Sequence, residues 1–240
     1  MARPVALVTG AGQRVGRSIA LALAADGHDL IVHYHRSADG ARETIAAATA
    51  LSVSAIGLQA DLSDGAAAAV LATAAHGVFG RLDVVVNSAA LWRPRPLAAV
   101  TPADWDAIHA VNLRAPFFLA IAAAPLMTDG GVIINIADHL AHESWPGLVP
   151  HSISKAGVVA LTQQLAQQLA PRLRVNAVSP GAVLPPPGWT AAAQAEFVAA
   201  TPLQRMGAPD DVAAAIVYLV HARYVTGVVL PVDGGRHLGH

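Results

Sequence analysis

His151 and Lys155, four apart in the run His151-Ser152-Ile153-Ser154-Lys155-Ala156-Gly157, carry the clearest capacity for chemistry in this chain. On a helix that spacing puts both side chains on one face, so both point at one cleft. An imidazole works as a general acid near neutral pH, and the lysine supplies a cation beside it. Lys155 and an ionised Asp138 act on that imidazole in opposite senses, so its charge at pH 7 stays open. Because Asp138, His139, His142 and Glu143 lie just upstream, a metal site competes with the acid–base reading. The segment follows a strand pattern and holds neither a His-Glu-x-x-His helix nor a second carboxylate set. The histidines therefore read as polar loop residues, and no metal is expected.

A second locus is Thr9-Gly10-Ala11-Gly12-Gln13-Arg14-Val15-Gly16, placed after the first strand pattern and opening the first helix. There, N–H groups at a helix N-terminus hold a pyrophosphate, and glycines let the backbone approach it. Gly10, Gln13, Arg14 and Val15 are the expected contacts. Asp61 and Leu62 follow the third strand and Asn87-Ser88-Ala89 the fourth, each at a carboxyl end on the same rim. The second strand ends in His33-Tyr34-His35-Arg36-Ser37, with no Asp or Glu to take the ribose 2′-hydroxyl of NAD. Arg36 forks onto a 2′-phosphate and His35 and Ser37 donate to it, so the expected cofactor is NADPH/NADP+.

The elements that must position these residues alternate. Short β-branched runs at 5–9, 29–34, 54–59, 82–86, 132–136, 174–178 and 228–232 are separated by Ala/Leu-rich stretches of helical period. Those stretches begin near Gln13, Asp39, Ser63, Pro102, Val149 and Pro209. The pattern predicts one α/β domain over 1–240, a Rossmann-type doubly wound parallel sheet of about seven strands with helices on both faces. The stretch from Ser179 to Gly207 holds Pro180, Pro185, Pro186, Pro187 and Pro202 and reads as one irregular substrate loop. Within it Leu184, Trp189 and Leu203 either close over a substrate or pack beneath the loop. Phe117, Phe118, Leu161, Leu165 and Leu169 follow helical spacing and read as core or subunit interface.

Composition narrows the class. The chain has no Cys, which excludes disulfides, thiolate catalysis and Cys-ligated metal. Its formal net charge of −1 gives no broad attraction to nucleic acid or anionic membrane. No apolar leader and no window of about eighteen uninterrupted apolar residues appears, so a soluble cytoplasmic protein with a small-molecule substrate is expected.

The Thr-Gly start, Asn87, the helical Asn112, Lys155, Ser179-Pro180-Gly181 and Asp233-Gly234-Gly235 resemble the short-chain dehydrogenase/reductase superfamily over almost the whole chain. The resemblance implies a homotetramer, a cofactor contact from Pro180 and Gly181, Lys155 on the nicotinamide ribose, and Asn112 anchoring a proton-relay water. Two positions depart from the pattern. His151 stands where the superfamily has its catalytic tyrosine, and Asp138 replaces the serine that polarises a carbonyl. Arg14, the His35-Arg36-Ser37 set and Asp138 look like the pteridine reductase branch, in which an aspartate works in proton delivery to a ring nitrogen. Where that branch stacks an aromatic residue under the pterin, this chain has Trp92, and a Trp suits a flat heteroaromatic substrate. Tyr34, Tyr218 and Tyr224 fall elsewhere in the pattern and do not replace the missing phenol.

The resulting expectation is an NADPH-dependent reductase of a small flat heterocycle or C=N bond, pteridine reductase-like or imine reductase-like. Asp138, His151, Lys155 and Asn112 carry its chemistry, and Arg14, Trp92, Asp138, Leu184 and Trp189 meet its substrate. Two alternatives stand beside it, a ketone or aldehyde reductase and a non-catalytic NADP(H)-binding protein. Arg93 and Arg95, flanked by Pro94 and Pro96, either steer an acidic substrate tail or form a solvated loop.

Overall fold

A computed structural model describes residues 2–185 and 188–239; Pro186 and Pro187 of the proline-rich segment lie outside the described residues. Seven parallel strands form one sheet in the order β3-β2-β1-β4-β5-β6-β7. They are β1 Val5–Val8, β2 Asp29–Tyr34, β3 Ala55–Gln59, β4 Val84–Asn87, β5 Val132–Ile136, β6 Arg174–Pro180 and β7 Val229–Val232. The order reverses between β1 and β4, so a crevice opens above the carboxyl ends of those two strands. This is the doubly wound α/β fold that the alternating pattern predicts.

Central strands here are apolar throughout because helices cover both faces of a parallel sheet. Val5 and Leu7 face one helix layer and Ala6 and Val8 the other, as the two-residue period of a strand requires. On the first side lie α3 (Ala67–Phe79), α5 (Ala115–Ala123) and α6 (Val149–Leu169), through Leu71, Leu119 and Leu165. On the second lie α1 (Arg14–Ala25), α2 (Ala38–Ala50) and α8 (Pro209–His221), through Ile19, Leu23, Ala48 and Ile216. Leu161 and Leu169 of α6 pack on the first cluster, whereas Phe117 and Phe118 of α5 remain exposed.

Three local readings change. The helix expected near Ser63 begins at Ala67, because Asp61 and Asp64 accept from the backbone N–H of Ser63 and Ala66 and wind the chain into turns first. The helix beginning at Pro102 runs as α4 (Pro102–His109) into a π-helical turn, Ala110–Arg114, and on into α5. The helical run Pro102–Leu126 has a mean hydropathy of 1.5 in its most apolar window, half of it buried inside the protein. The stretch read as one irregular loop from Ser179 to Gly207 instead contains α7, Ala191–Ala199, capped by Thr190 Oγ accepting from Ala193 N. Its Ala-rich sequence buries only Phe197, so almost no apolar stripe marks it as a helix.

Gly16, in the first turn of α1, packs directly against the turn that borders the crevice. A Cβ there would lie 2.3 Å from the Gly10 carbonyl oxygen, a backbone atom that cannot rotate away. Gly16→Ala is expected to lower unfolding stability by about 2 kcal/mol, read from the urea midpoint; an unchanged midpoint would show that the turn has room to spare.

Candidate active site

The crevice is a cleft of about 890 Å³ over the carboxyl ends of the strands. Its first wall is the β1–α1 turn. Gly10 adopts a left-handed φ of +67°, and Arg14, at the N-terminus of α1, has φ 51°, an uncommon conformation for a residue with a side chain. Thr9 Oγ1 accepts from the N–H groups of Ser88 and Ala89, tying the end of β4 to this turn. His33 Nδ1 accepts from Gly10 N at 3.1 Å while its Nε2 lies 3.2 Å from the Ala60 carbonyl oxygen. Those partners fix a neutral, Nε2-protonated ring, and burial pushes its pKa down to about 4. A Cβ on Gly12 would fall 2.5 Å from Ser37 Oγ, so α2 begins directly against this turn.

Gly10, Gln13, Arg14, Val15, His35, Arg36, Ser37, Asp61, Leu62, Ser88 and Ala89 all line the cleft. A cradle that a Cβ would fill, at a helix N-terminus with Arg36 beside it, fits a phosphorylated dinucleotide. Asp61 is turned partly away, since its Oδ1 accepts from both the N–H and the hydroxyl of Ser63. Those bonds, with the charges of His35 and Arg36, hold its carboxyl below the usual range. Asn87 is absent from the lining. Its side chain lies buried beneath the floor, donating from Nδ2 to Asn135 Oδ1 at 2.8 Å.

At the opposite wall, β5 delivers Asp138 and the N-terminal turns of α6 deliver His151 and Lys155, all three lining the cleft. His151 Nε2 is 3.1 Å from Asp138 Oδ2. Its Nδ1 lies 3.4 Å from Nδ2 of Asn112, which sits in the π-helical turn. Asn112 is buried behind the imidazole rather than in the lining: its Oδ1 accepts from Leu91 N, and its Nδ2 donates to Ser154 Oγ at 3.1 Å. Trp92 crosses the His151 ring edge-on, with centroids 4.7 Å apart. It lines the cleft and roofs the imidazole.

Lys155 Nζ donates to the Ile136 carbonyl at 2.7 Å. Burial lowers its pKa to about 8, against the opposing pull of the Asp138 charge. Burial also works against ionising Asp138, yet hydrogen bonds and charge from His139 and His151 outweigh it and hold the carboxyl far below the usual carboxylate range. Asp138 therefore meets the His151 ring as a carboxylate that accepts from Nε2. No tyrosine lines the cleft among the described residues, and Tyr218 and Tyr224 are exposed at 57% and 104%. The described residues also contain no group of three or more His, Cys, Asp or Glu arranged to hold a metal ion.

Pro180, Gly181, Leu184 and Trp189 line the far end. Trp189 stacks on Trp145 at 5.6 Å, and Phe197 of α7 packs against both. His139, expected to be a polar loop residue, joins Trp145 and Glu143 in one packed unit. Glu143 accepts from Trp145 Nε1 at 2.6 Å and from Nε and Nη2 of Arg236, whose guanidinium lies 4.2 Å over the Phe197 ring. Burial opposes the Glu143 charge, but Arg236 and Trp145 bring its pKa down to about 2. Arg236 was missed because the sequence signals no contact between positions 143 and 236. Arg95 is held by Asp104 at 3.3 Å, while Arg93 reaches the lining.

Because Glu143 and Arg236 are both about nine-tenths buried, removing one strands the other's charge. Arg236→Ala is expected to lose about 3 kcal/mol of stability in urea unfolding, and adding Glu143→Gln is expected to recover part of it. Equal midpoints for Arg236→Ala and the natural protein would contradict this.

Comparison with known proteins gives this geometry a lineage. The family profile described as enoyl-(acyl carrier protein) reductase matches residues 10–237. A Streptomyces violaceoruber protein named for ketoacyl reduction in the granaticin polyketide synthase is 39% identical over 98% of this chain and 96% of its own. The 3-oxoacyl-[acyl-carrier-protein] reductase of Staphylococcus aureus is 32% identical over 97% and 98%. A short chain dehydrogenase from Burkholderia cenocepacia, solved in complex with NADP, superposes with a TM-score of 0.93 at 36% identity, covering 97% of each chain. With matches of this extent, in sequence and in fold alike, the chain belongs to the short-chain dehydrogenase/reductase superfamily of oxidoreductases.

Proposed function

We propose that the protein is an NADPH-dependent reductase of a small flat ring, a heterocycle or a C=N bond, in which Asp138 and His151 supply the proton. The observation that carries this reading is the 3.1 Å contact of Asp138 and His151 in a cleft walled by Trp92, Trp145 and Trp189. NADP(H) is supported by Arg36, His35 and Ser37 at the cleft, by the lack of a carboxylate at the end of β2, and by the NADP-bound relative. Gly10, Gln13, Arg14 and Val15 would hold the pyrophosphate, and Lys155 the nicotinamide ribose. When bound, that cofactor supplies a hydride.

The protein's own residues then supply the proton. The Asp138 side chain is 22% exposed and that of His151 only 3%, so the carboxylate meets the substrate and the imidazole stands behind it. An imidazolium at His151 would give its Nε2 proton to Asp138 Oδ2 and return to the neutral ring, and the carboxyl would hand that proton to a substrate nitrogen. A nitrogen that gains charge in this way needs less oxyanion stabilisation than a ketone oxygen, which suits a site without a phenol. The Trp145–Trp189 stack and Leu184 exclude water from the far end. The exposed Phe117, Phe118 and Ile153 support the homotetramer that the family resemblance implies.

Carbonyl reduction is the second reading, favoured by the relatives named for ketoacyl reduction. Following NADPH oxidation at 340 nm against dihydropterins, dihydrofolate, cyclic imines, ketoesters and ketones separates the two. Turnover is expected with the nitrogen heterocycles, reduced at least 100-fold in His151→Ala and in Asp138→Asn. Activity confined to ketones would overturn the heterocycle reading. NADPH binding without turnover on any substrate, with activity appearing in His151→Tyr, would make it a non-catalytic NADP(H)-binding protein.

A pH titration of NADPH binding isolates Lys155. The ammonium is present below its pKa of about 8 and lost above it, so affinity is expected to fall as pH rises from 7 to 9.5. The same titration of Lys155→Met is expected to be weaker throughout and flat across that range. A break of equal size in the variant would assign the effect to another group.

A further inference from the structure

Asp138 is held by a second imidazole. His139 Nδ1 hydrogen-bonds the Pro180 carbonyl oxygen at 3.2 Å and lies within ion-pair distance of Asp138 Oδ1, at 3.0 Å. The N–H of Leu140 also donates to Oδ1 at 3.0 Å, while His151 takes Oδ2. Each carboxylate oxygen thus has an imidazole nitrogen close to it, His139 Nδ1 at Oδ1 and His151 Nε2 at Oδ2. His139 is itself locked in place. It is nine-tenths buried, its ring meets Trp145 and Phe197 edge-on, and its Nε2, with no hydrogen-bond partner among the described residues, faces Glu143 Oε2 at 3.7 Å. Glu143 is in turn clamped by Arg236. The loop after β5, the end of β6, α7 and the C-terminal segment therefore converge on one ring that touches the acid–base pair.

We propose that His139 is a positioning residue that holds the Asp138 carboxylate toward His151 and sets the pH range over which the proton moves between them. The proposal rests on the proton route described above. The carboxylate shares its basicity between two imidazoles, and withdrawing one leaves it holding the proton at the His151 side more tightly. The charged groups that bear on this exchange are Asp138 and Glu143 against His139 itself, His151 and Lys155 from α6, and Arg236 behind Glu143. Trp145 and Phe197 contribute only neutral surface.

Two variants separate positioning from bulk. His139→Phe keeps a planar ring between Trp145 and Phe197 but removes both nitrogens. His139→Asn places an amide N–H close to the position of Nδ1. The experiment records kcat against NADPH from pH 5 to 9, NADPH Kd, and the 13C resonance of the Asp138 carboxyl during an acid titration, for the natural protein, both variants and Asp138→Asn. In His139→Phe, the midpoint of the kcat profile and the Asp138 carboxyl titration are both expected to move up by about one pH unit. NADPH Kd is expected to stay within twofold. His139→Asn is expected to restore both midpoints.

A kcat lowered by the same factor at every pH, or His139→Asn behaving like His139→Phe, would reduce His139 to a packing residue and overturn the proposal. Unchanged turnover in Asp138→Asn would instead overturn the proton route. The carboxyl titration needs no turnover, and an unmoved Asp138 resonance in His139→Phe refutes the positioning role whatever the activity.

Discussion

A carboxylate at the end of a buried central strand must be met by donors or give up its charge, and Asp138 governs the site for that reason. Its neighbours follow from that demand. His151 comes from the first turns of α6, His139 and the Leu140 N–H from the loop directly after β5. His139 needs Pro180 and packing from α7, and that packing needs the Glu143–Arg236 pair to bring in the last residues of the chain. An ionised Asp138 thus explains why distant segments converge at one end of the cleft.

The dinucleotide end depends on a different constraint, the closeness of backbone to backbone. Gly16 packs on the Gly10 carbonyl, Gly12 on Ser37, and Gly40 of α2 would place a Cβ 2.0 Å from the Gly12 carbonyl oxygen. His33 accepts from Gly10 N and reaches across to Ala60, so the turn is pinned from β2 as well as from Thr9. A buried, neutral imidazole does this without bringing charge to the turn, beside which Arg14 and Arg36 line the cleft. Asn87, Asn135 and Thr162 carry the same logic underneath: buried amides satisfied among themselves form a rigid polar floor.

Much of this was legible in the residues. Alternation of Val/Ile-rich runs with Ala/Leu-rich helical stretches was enough to give seven parallel strands, because a sheet covered on both faces must be apolar throughout. Glycines after the first strand and an arginine after the second pointed to one rim, and the structure puts Gly10 and Arg36 in the lining of one cleft. A spacing of four joined His151 to Lys155, and thirteen residues of loop and helix start brought Asp138 within 3.1 Å of the ring. Helix α7 escaped because an Ala-rich helix that buries a single Phe has no stripe to read. Asn87 was expected to touch the cofactor and Asn112 to act in the chemistry, but neither lines the cleft, because their side chains are taken by partners at Asn135, Leu91 and Ser154.

By itself, then, the sequence determined the sheet, the crevice at its switch point and the types of group that face it, since period and local turn chemistry act over a few residues. Which groups touch each other was decided by the tertiary structure alone. The grip of His139 on Asp138, the roof of Trp92 over His151, and the reach of Arg236 across 93 positions to Glu143 are long-range pairings. Burial makes such contacts strong, and no local pattern in the chain encodes them, because each exists only once the layers have packed.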